Sequence, residues 1–508
     1  MRARRLTCLS LTAAACALMA ACGSDAPADV STPTADATAI PAAAASSLRL
    51  LDWPEFGLDP QRSDVSARST GITAANVAHL HRRTVATPGT VDSSPIYLHG
   101  VPVAGATHNL IVATTTYGRT VAIDANGGRI LWTFTPPGIG RWAGSAQITT
   151  ASPVADPDRL FVYAASPDGL IHKLSLADGS EDRRGSWPVS VTRDATHEKL
   201  AAALNIAGGD LLVATGGYYG DAPPYQGHVA AISRSSGRLR RVFNTLCANR
   251  RELLVPSTCS ASDSAILSRG GPVVEPGGKR ILIDTGNGPW NGTTSFGDSV
   301  LELTLPDLGL RQSFTPSNQA QLNSSDGDLG SSAPALLGGD RVVVAGKDGI
   351  MRVLALSRLD GHPPSGARIR PLDGELQRLS IPGGGELFSA PAVWAPSGTS
   401  ARGSTTVFVA DEDGTAAYVL RAGRLYQAWE NGTPGTSPVM AGGLLYVYDP
   451  SSGGIYVYRP ASAQPIARLA GASGHWNSPI VVDGHVVEPE GNANDHQLTG
   501  SIEIFSAR

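Results

Sequence analysis

The stretch LIVATTTYGRTVAIDANGGRILW, residues 110–132, decides the fold of this chain. It contains three short apolar runs, separated by a Tyr-Gly pair at 117–118 and a Gly-Gly pair at 127–128. Strands that bury one face alternate apolar and polar residues, and glycine-containing turns join antiparallel neighbours. The stretch therefore predicts successive antiparallel strands of one small sheet.

The same pattern recurs along the chain, usually behind a triplet of two small residues and a proline. The triplets lie about 40 to 67 residues apart when a divergent copy near Leu204-Asn205 is included. They are Ser93-Ser94-Pro95, Ala151-Ser152-Pro153, Gly270-Gly271-Pro272, Ser332-Ala333-Pro334, Ser389-Ala390-Pro391, Thr436-Ser437-Pro438 and Asn477-Ser478-Pro479. Four strands per repeat at this spacing are typical of a β-propeller. The sequence predicts an all-β, eight-bladed propeller.

The composition excludes several other classes of protein. Charged residues make up 17% of the 508, against about 25% in a typical protein, so a coiled coil is excluded. Hydrophobic residues make up 42%, which is enough for a core and excludes a fully disordered chain. The formal net charge of -4 lacks the basic surface of a nucleic-acid-binding protein, and no nucleic-acid partner is expected.

Residues 1–21 are expected to be a signal peptide. Three arginines lie within the first five residues, and the apolar run 9–21 that follows is too short to span a bilayer as a mature helix. The residues Leu18-Met19-Ala20-Ala21-Cys22 resemble a bacterial lipobox, which implies that Cys22 is lipidated and becomes the first mature residue. An ordinary signal peptide with a chance cysteine is the alternative.

Residues 22–50 are predicted to be a flexible tether, because alanine, threonine, proline, serine and aspartate dominate them. The propeller is assigned to residues 51–508. No later stretch approaches 18 uninterrupted apolar residues, so lipid is the only expected contact with a membrane. We expect a monomeric, membrane-anchored lipoprotein that faces the periplasm, with the outer membrane preferred over the inner.

Two cysteines, Cys247 and Cys259, remain in the mature body. An even pair in an exported protein predicts a disulfide, which would close the loop before the fourth blade and stabilise the fold by about 2–3 kcal/mol. A redox-active dithiol is the alternative, but the spacing differs from the Cys-x-x-Cys of such sites.

Residues 110–132 resemble the PQQ-type repeat of quinoprotein β-propellers, in which a strand, a Tyr-Gly or Asp-Gly turn, Ala-Ile-Asp, Gly-Gly and Ile-Leu-Trp follow one another. The resemblance covers about residues 50–506, and eight blades is the usual number in that family. It implies that an N-terminal strand closes the ring near Val481 to Phe505. It also implies that Trp132 and Trp429 pack between blades.

Alcohol dehydrogenases of this family use a quinone and Ca²⁺, and the resemblance implies three site residues. Asn287, in the loop 285–291, would ligate Ca²⁺, which polarises the quinone carbonyl as a Lewis acid. Asp328 would be the base that removes the alcohol proton, and Lys347 would contact the quinone. A purely structural role in a turn is the alternative for each of the three.

Other features of these dehydrogenases are missing. The stretch 216–221 has no glutamate for a second Ca²⁺ ligand, and Asp221 is its nearest acid. The tryptophan that forms the cofactor floor falls near Arg269, and the lid of adjacent cysteines is absent. The acidic run 488–495 could hold Ca²⁺, but we expect it to be a solvated loop.

Two functions stay open on this basis. The favoured one is an exported, lipid-anchored binding or scaffold module with a protein partner in the cell envelope. Such a module needs no cofactor, and the outer-membrane assembly lipoproteins are similar in tether, repeat type and blade number. The alternative is a quinone- and calcium-dependent alcohol or sugar dehydrogenase, with PQQ and Ca²⁺ as cofactors and a small-molecule alcohol or sugar as substrate.

Overall fold

The structure, a computed structural model, describes residues 51–218, 220–362, 369–395 and 404–507. The predicted signal peptide, Cys22 and the tether lie outside these ranges. Within them the strands form eight sheets, seven of four strands and one of five. The predicted eight-bladed propeller is confirmed. In the described part, no helix is both long enough and apolar enough to cross a membrane.

Two strands, β1 (Val65–Ser66) and β2 (His81–Thr87), precede the first blade. Blades 1 and 2 comprise β3 to β6 (Ile96–Val103, Ala106–Thr114, Thr120–Asp124, Ile130–Phe134) and β7 to β10 (Val154–Ala155, Phe161–Ala165, Leu170–Ser175, Val189–Ser190). Blades 3 and 4 comprise β11 to β14 (Asn205–Ala207, Asp210–Ala214, His228–Ser233, Leu239–Asn244) and β15 to β18 (Val273–Val274, Arg280–Asp284, Val300–Thr304, Gly309–Phe314).

Blades 5 and 6 comprise β19 to β22 (Ala335–Gly338, Arg341–Val344, Ile350–Ala355, Gln377–Ser380) and β23 to β26 (Ala392–Trp394, Thr406–Ala410, Thr415–Arg421, Arg424–Asn431). Blade 7 comprises β27 to β30 (Val439–Ala441, Leu444–Tyr448, Ile455–Tyr458, Pro465–Leu469), and blade 8 begins with β31 to β33 (Ile480–Val482, His485–Glu490, Gly500–Ser506). The described α-helix is α1 (Gln319–Ser324). Short 3-10 helices span Val77–His79, Ile139–Arg141, Pro256–Thr258, Leu329–Ser331, Pro382–Gly384 and Ala493–Asp495.

The ring closes by pairing its two ends. Strand β2 adds to blade 8 as an antiparallel neighbour of β33, with Val85 opposite Ile502. The guanidinium of Arg82 also binds the Glu503 carboxylate at 2.8 Å. Strand β2 thus completes blade 8 from the other end of the chain, and the closure lies where the resemblance implied.

The small-small-Pro triplets stand immediately before the innermost strands of their blades. Strand β3 begins directly after Pro95, and β15 begins directly after Pro272. The triplets of neighbouring blades crowd together around the channel, so their first two side chains must be small. A Cβ atom on Gly270 would lie 2.7 Å from Cβ of Ala333 in the next blade, which is closer than such atoms approach.

Both repeat-end tryptophans pack between blades, as the resemblance implied. The indole nitrogen of Trp132 in blade 1 donates to the carbonyl of Leu176 in blade 2 at 3.0 Å. The indole nitrogen of Trp429 in blade 6 donates to the carbonyl of Pro460 in blade 7 at 2.9 Å. Each tryptophan therefore satisfies its single donor while its rings fill the gap between two sheets.

An N-terminal stretch, residues 53–66, lies across the inner strands, and we name it the plug segment. Its backbone carbonyls accept hydrogen bonds from β7, β15, β23 and β27, and β1 within it pairs in parallel with β27. The backbone of the plug segment thus connects blades that are far apart in the ring.

Arg62 is the centre of the plug segment and is 1% exposed. Its guanidinium donates to the carbonyls of Phe56, Leu204 and Gly270 at 2.7–2.9 Å, and to the carboxylate of Glu55 at 2.9 Å. Two of these carbonyls, on Leu204 and Gly270, end the loops that lead into blades 3 and 4. One buried side chain therefore fastens the segment to the channel wall.

Candidate functional site

A cavity of about 490 Å³ lies at one mouth of the channel, and we name it the central pocket. Its wall comes largely from loops that lead into the inner strands, contributed by blades 2, 3, 4, 5, 6 and 8. Representative wall residues are Thr150, Lys199, Arg269, Ser331, Phe388 and Trp476.

The plug segment lies directly beneath this pocket. A Cβ atom on Gly270, the neighbour of Arg269, would lie 3.7 Å from Cγ of Arg62 and 3.8 Å from the ring of Phe56. The channel is therefore filled below Arg269, and the pocket is a blind cavity rather than a pore. A blind, partly enclosed cavity of this volume is within the range of small-molecule sites.

The structure brings Asn287, Asp328 and Lys347 together, and Asp328 and Lys347 line the pocket. The backbone N–H of Asn287 donates to Oδ1 of Asp328 at 2.6 Å. The ammonium of Lys347 lies 2.6 Å from Oδ2 of Asp328 and 2.9 Å from Oδ1 of Asp326. Both carboxylate oxygens of Asp328 are thus engaged by the protein itself.

Glycines in the two neighbouring motifs permit this close approach. A Cβ atom on Gly286 would lie 2.3 Å from Oδ1 of Asp328, and one on Gly346 would lie 2.2 Å from the carbonyl oxygen of Asp328. The Gly-Asn-Gly and Gly-Lys-Asp-Gly patterns therefore have a packing reason, which is contact between the turns and the loop that carries Asp328.

Burial and the partner's charge shift the pKa values of Lys347 and Asp328 in opposite directions. Burial alone would lower the pKa of Lys347, but the carboxylates of Asp328 and Asp326 raise it above its usual range. Burial raises the pKa of Asp328, against the opposing effects of Lys347 and of the Asn287 N–H. The ammonium therefore stays charged, and the arrangement is an internal ion pair rather than a free base.

The residues at this place do not fit a Ca²⁺ ion. Calcium takes six to eight oxygen ligands, whereas here an ammonium lies between the two available carboxylates. Asp221, the nearest acid in the stretch 216–221, accepts a hydrogen bond from the hydroxyl of Tyr225 at 2.8 Å. The described ranges contain no group of three or more His, Cys, Asp or Glu side chains that could hold a metal ion.

The opposite wall of the pocket is basic. Arg269, where the resemblance places a floor tryptophan, binds Oδ1 of Asp92 at 2.8 Å, and His475 binds Oδ2 of Asp92 at 2.7 Å. Burial alone would raise the pKa of Asp92, but Arg269, His475 and the N–H of Ala493 lower it to about 2. Asp92 is therefore an ionised, buried anchor for the side chains of Arg269 and His475.

Lys199 is the third basic residue of the pocket, and it is half-buried. Its backbone pairs with Gly216, but its ammonium makes no hydrogen bond or ion pair with any residue of the described ranges. Burial and the neighbouring charge of Arg269 lower the pKa of Lys199 to about 8, although Asp92 opposes them.

Aromatic rings line the pocket at a place that the sequence analysis missed. The rings of Phe388 and Trp476 stack with centroids 4.3 Å apart, and the ring of His475 stacks on Trp476 at 3.9 Å. Two rings this close to one indole occupy its two faces. Trp476 therefore offers an edge to the pocket and no free face on which a planar quinone could stack.

A signal for these residues does exist in the sequence. Asp92, Thr150, Arg269, Phe388 and Trp476 each stand one position before a small-small-Pro triplet. Because each triplet stands immediately before an inner strand, the residue that precedes it lies at the channel mouth. Reading that one position in every repeat would have found five of the residues that line the pocket, which are Thr150, Arg269, Ser331, Phe388 and Trp476.

Two further expectations concern residues away from the pocket. The sulfur atoms of Cys247 and Cys259 lie 2.01 Å apart, a bonding distance, and chemical proof of the bond stays a prediction. The expected solvated loop at 488–495 is wrong in its first part, because Glu488 and Glu490 lie in β32 and are 1% and 5% exposed. Their side chains alternate with valine and proline in a strand that the blade covers on both faces.

Comparisons with known proteins agree with the fold. The family profile described as outer membrane protein assembly factor BamB matches residues 73–252. The structure is similar to a quinohemoprotein alcohol dehydrogenase from Comamonas testosteroni, at 15% identity over 91% of this chain and 82% of that chain, with a TM-score of 0.58. No protein in the curated collection matches the sequence.

Two more solved structures have the same architecture. The quinohemoprotein alcohol dehydrogenase ADHIIG from Pseudomonas putida HK5 matches at 12% identity over 92% of this chain and 82% of that chain, with a TM-score of 0.64. A europium-containing methanol dehydrogenase matches at 15% identity over 91% of this chain and 99% of that chain, with a TM-score of 0.65. At these identities the likeness is one of fold.

Proposed function

We propose that this chain, an eight-bladed β-propeller of PQQ-type repeats, is a binding module of the cell envelope whose central pocket takes a small molecule. The single observation that carries the proposal is the blind pocket itself. Loops from six blades converge on it, and the plug segment fills the channel beneath it. A scaffold that only presented its outer surface to partners would need no such cavity.

Export and lipid anchoring belong to the same proposal. Residues 1–21 would direct export, Cys22 would carry the lipid, and residues 22–50 would tether the propeller to a membrane. The paired cysteines Cys247 and Cys259 support an oxidising compartment, because disulfides are rare in the cytosol. The propeller would then face the periplasm.

A protein partner is compatible with this function and has its own support. The profile that matches residues 73–252 describes an outer membrane protein assembly factor. That match covers less than half of the chain and none of Arg269, Asp328, Lys347 or Trp476. A partner would therefore contact the blade surfaces, and the central pocket would serve the small molecule.

A quinone-dependent dehydrogenase is the second candidate, and one observation favours it. Asn287, Asp328 and Lys347, chosen by resemblance alone, meet in space at the pocket. Against it, the Lys347 ammonium takes the place between the carboxylates, and Trp476 has no free face for a quinone. The residues present fit neither Ca²⁺ nor a stacked quinone, so binding without catalysis ranks first.

Thermal unfolding of the purified mature protein tests the proposed function. We would screen sugars, polyols, sugar acids and short alcohols, and expect at least one class to raise the melting temperature, because a ligand that binds only the folded state stabilises it. Leu267→Trp, which fills the pocket from its wall, should abolish the rise. Leu160→Trp, at a side chain that is 57% exposed, is the matched control and should keep it.

The outcomes of this thermal-shift experiment support or overturn the proposed function. A rise that disappears in Leu267→Trp and persists in Leu160→Trp would support the pocket as the binding site. Absence of any rise across the panel, or a rise that survives in Leu267→Trp, would overturn the proposal. Oxidation of an alcohol by protein loaded with quinone and Ca²⁺ would promote the dehydrogenase instead.

A further inference from the structure

The charges of the pocket's basic wall do not balance. Asp92 is a single negative charge, and Arg269 compensates it at 2.8 Å while His475 shares its second oxygen. Lys199 adds a further positive charge beside Arg269, with no carboxylate at ion-pair distance in the part of the chain that the structure describes. A half-buried ammonium next to another cation is costly unless an anion accompanies it.

The wall that faces Lys199 is negatively charged, and we name it the acidic wall; it is formed by Asp326, Asp328 and Glu386. Asp328 is 1% exposed and is bound by Lys347, whereas the side chain of Asp326 is 62% exposed and Glu386 lies at the rim. These carboxylates accept hydrogen bonds and repel additional negative charge. A ligand that spans the pocket therefore meets cations at one end and hydrogen-bond acceptors at the other.

We infer that the ligand of the central pocket is a hydroxylated organic carboxylate, whose carboxylate pairs with Lys199 beside Arg269 and whose hydroxyl groups donate to the wall formed by Asp326, Asp328 and Glu386. This inference rests on the proposed function and names the ligand class of the same site. A charged hydrogen bond from an ammonium to a carboxylate is about twice as strong as a neutral one. The ligand's charge would thus supply most of the discrimination.

Alternative ligands match only one wall. A neutral sugar would leave Lys199 without its anion. A dianion such as phosphate would bring a second negative charge towards the acidic wall, and it has no chain of hydroxyl groups that could reach across the pocket. A hydroxylated monocarboxylate matches both walls. The cavity of about 490 Å³ has room for a sugar acid.

The protonation of Lys199 gives the inference a second, independent readout. With a pKa of about 8, this ammonium begins to lose its proton just above neutral pH. Carboxylate affinity should therefore fall as pH rises past 8, by up to tenfold per unit. The charges that act on Lys199 are those of Arg269 and Asp92. The pKa of Asp92 is about 2, so Asp92 stays ionised across this range and does not cause the fall.

The other titratable side chains that line the pocket are those of Tyr218, Asp221, Asp326, Asp328, Lys347, Glu386 and His475. Lys347 has a raised pKa and keeps its charge through pH 9. Burial raises the pKa of Asp328, and its ionisation with rising pH would also weaken anion binding. The Lys199→Arg variant keeps all these groups, so a fall above pH 8 that disappears in this variant points to Lys199.

Isothermal titration of the mature protein with D-gluconate tests the inference, with sorbitol as the neutral analogue and inorganic phosphate as the anion without carbon-bound hydroxyls. We expect gluconate to bind at least tenfold more tightly than either. Lys199→Met should remove that preference, and Lys199→Arg should retain it while abolishing the fall above pH 8. Lys279→Met, at an exposed lysine, is the matched control and should behave as the wild type.

Each other outcome overturns the inference without ambiguity. If sorbitol binds as tightly as gluconate, the pocket does not select charge, and the proposed binding function survives alone. If phosphate binds as tightly as gluconate, the site recognises negative charge and does not recognise hydroxyl groups. If gluconate does not bind, or binds equally well to Lys199→Met, the carboxylate subsite is wrong, while the wider panel decides the proposed function separately.

Discussion

The ammonium nitrogen of Lys347 lies 2.6 Å from Oδ2 of Asp328, and the same nitrogen lies 2.9 Å from Asp326. A divalent cation at this place would have to displace the ammonium from both carboxylates. We therefore expect that PQQ and Ca²⁺ together leave the melting temperature of the mature protein unchanged. A working site would instead add about 2.7 kcal/mol of stability at a hundredfold excess over Kd.

Removing the ammonium should reverse this behaviour. Lys347→Met leaves Asp326 and Asp328 without their counter-charge, so Ca²⁺ should stabilise the variant more than it stabilises the wild type. Paired thermal scans with and without Ca²⁺ measure the difference. A Ca²⁺-dependent rise in the wild type that Asp328→Ala or Asn287→Ala abolishes would contradict this account and favour the dehydrogenase.

Asp92 should contribute strongly to stability because it is buried and bound to the side chains of Arg269 and His475. Asp92→Asn leaves Arg269 without a counter-charge, and the loss of one partner of a buried pair costs about 3–5 kcal/mol. Urea unfolding at pH 7 measures this loss. Asp158→Asn, at an exposed aspartate, is the control, and an equal loss in both variants would refute the role of Asp92.

The sign of the pH dependence follows from the lowered pKa of Asp92. Its folded-state pKa of about 2 lies below the usual value of 3.8, so the stabilisation is complete above pH 4 and is lost as the pH falls towards 2. The difference between these two pKa values corresponds to about 2 kcal/mol of folding free energy. The gap in stability between wild type and Asp92→Asn should therefore narrow below pH 4.

Arg62 should hold the plug segment in the channel. Arg62→Met removes the donor from the buried carbonyls of Leu204 and Gly270 and from Glu55. An unpaired buried polar group costs about 1–3 kcal/mol, so we expect a total loss of several kcal/mol. Hydrogen exchange at residues 53–66 should accelerate in this variant but not in Arg141→Met, an exposed control. Unchanged protection would show that the other backbone bonds suffice.

Cys247 and Cys259 should be joined in the mature protein. Alkylation without reduction, followed by intact-mass measurement, should find neither thiol free. Their sequence separation is 12, so the bond should stabilise the fold by about 2–3 kcal/mol and its reduction should lower the melting temperature without unfolding the other blades. Detection of two alkylated cysteines would refute the bond.

Cys22 should anchor the protein to a membrane through lipid. Cys22→Ser removes the acceptor, and the variant should move from the membrane fraction to the soluble fraction of cell extracts. Cys16→Ser, inside the predicted signal peptide, is the control and should remain with the membranes. Sedimentation of Cys22→Ser with membranes at high salt would contradict the lipoprotein prediction.

The sequence by itself determined the number and order of the blades. A strand that buries one face can be recognised by the local alternation of apolar and polar residues. The residues of the triplet before each inner strand must be small because neighbouring blades crowd together there. The repeat in residues 110–132 carries this information over a few neighbouring positions. The family resemblance then predicted the closure of the ring by an N-terminal strand and the packing of Trp132 and Trp429 between blades. Both features follow from the shape of the ring.

Only the tertiary structure decided what the candidate site contains. Asn287 and Asp328 stand 41 positions apart and meet because their loops share one channel mouth. The stacking of Phe388 with Trp476, the isolation of Lys199 and the plug segment beneath Arg269 arise in the same way. Periodicity reports which face of a strand is buried. It carries no record of which side chains from separate blades converge, since that depends on the closure of the whole ring.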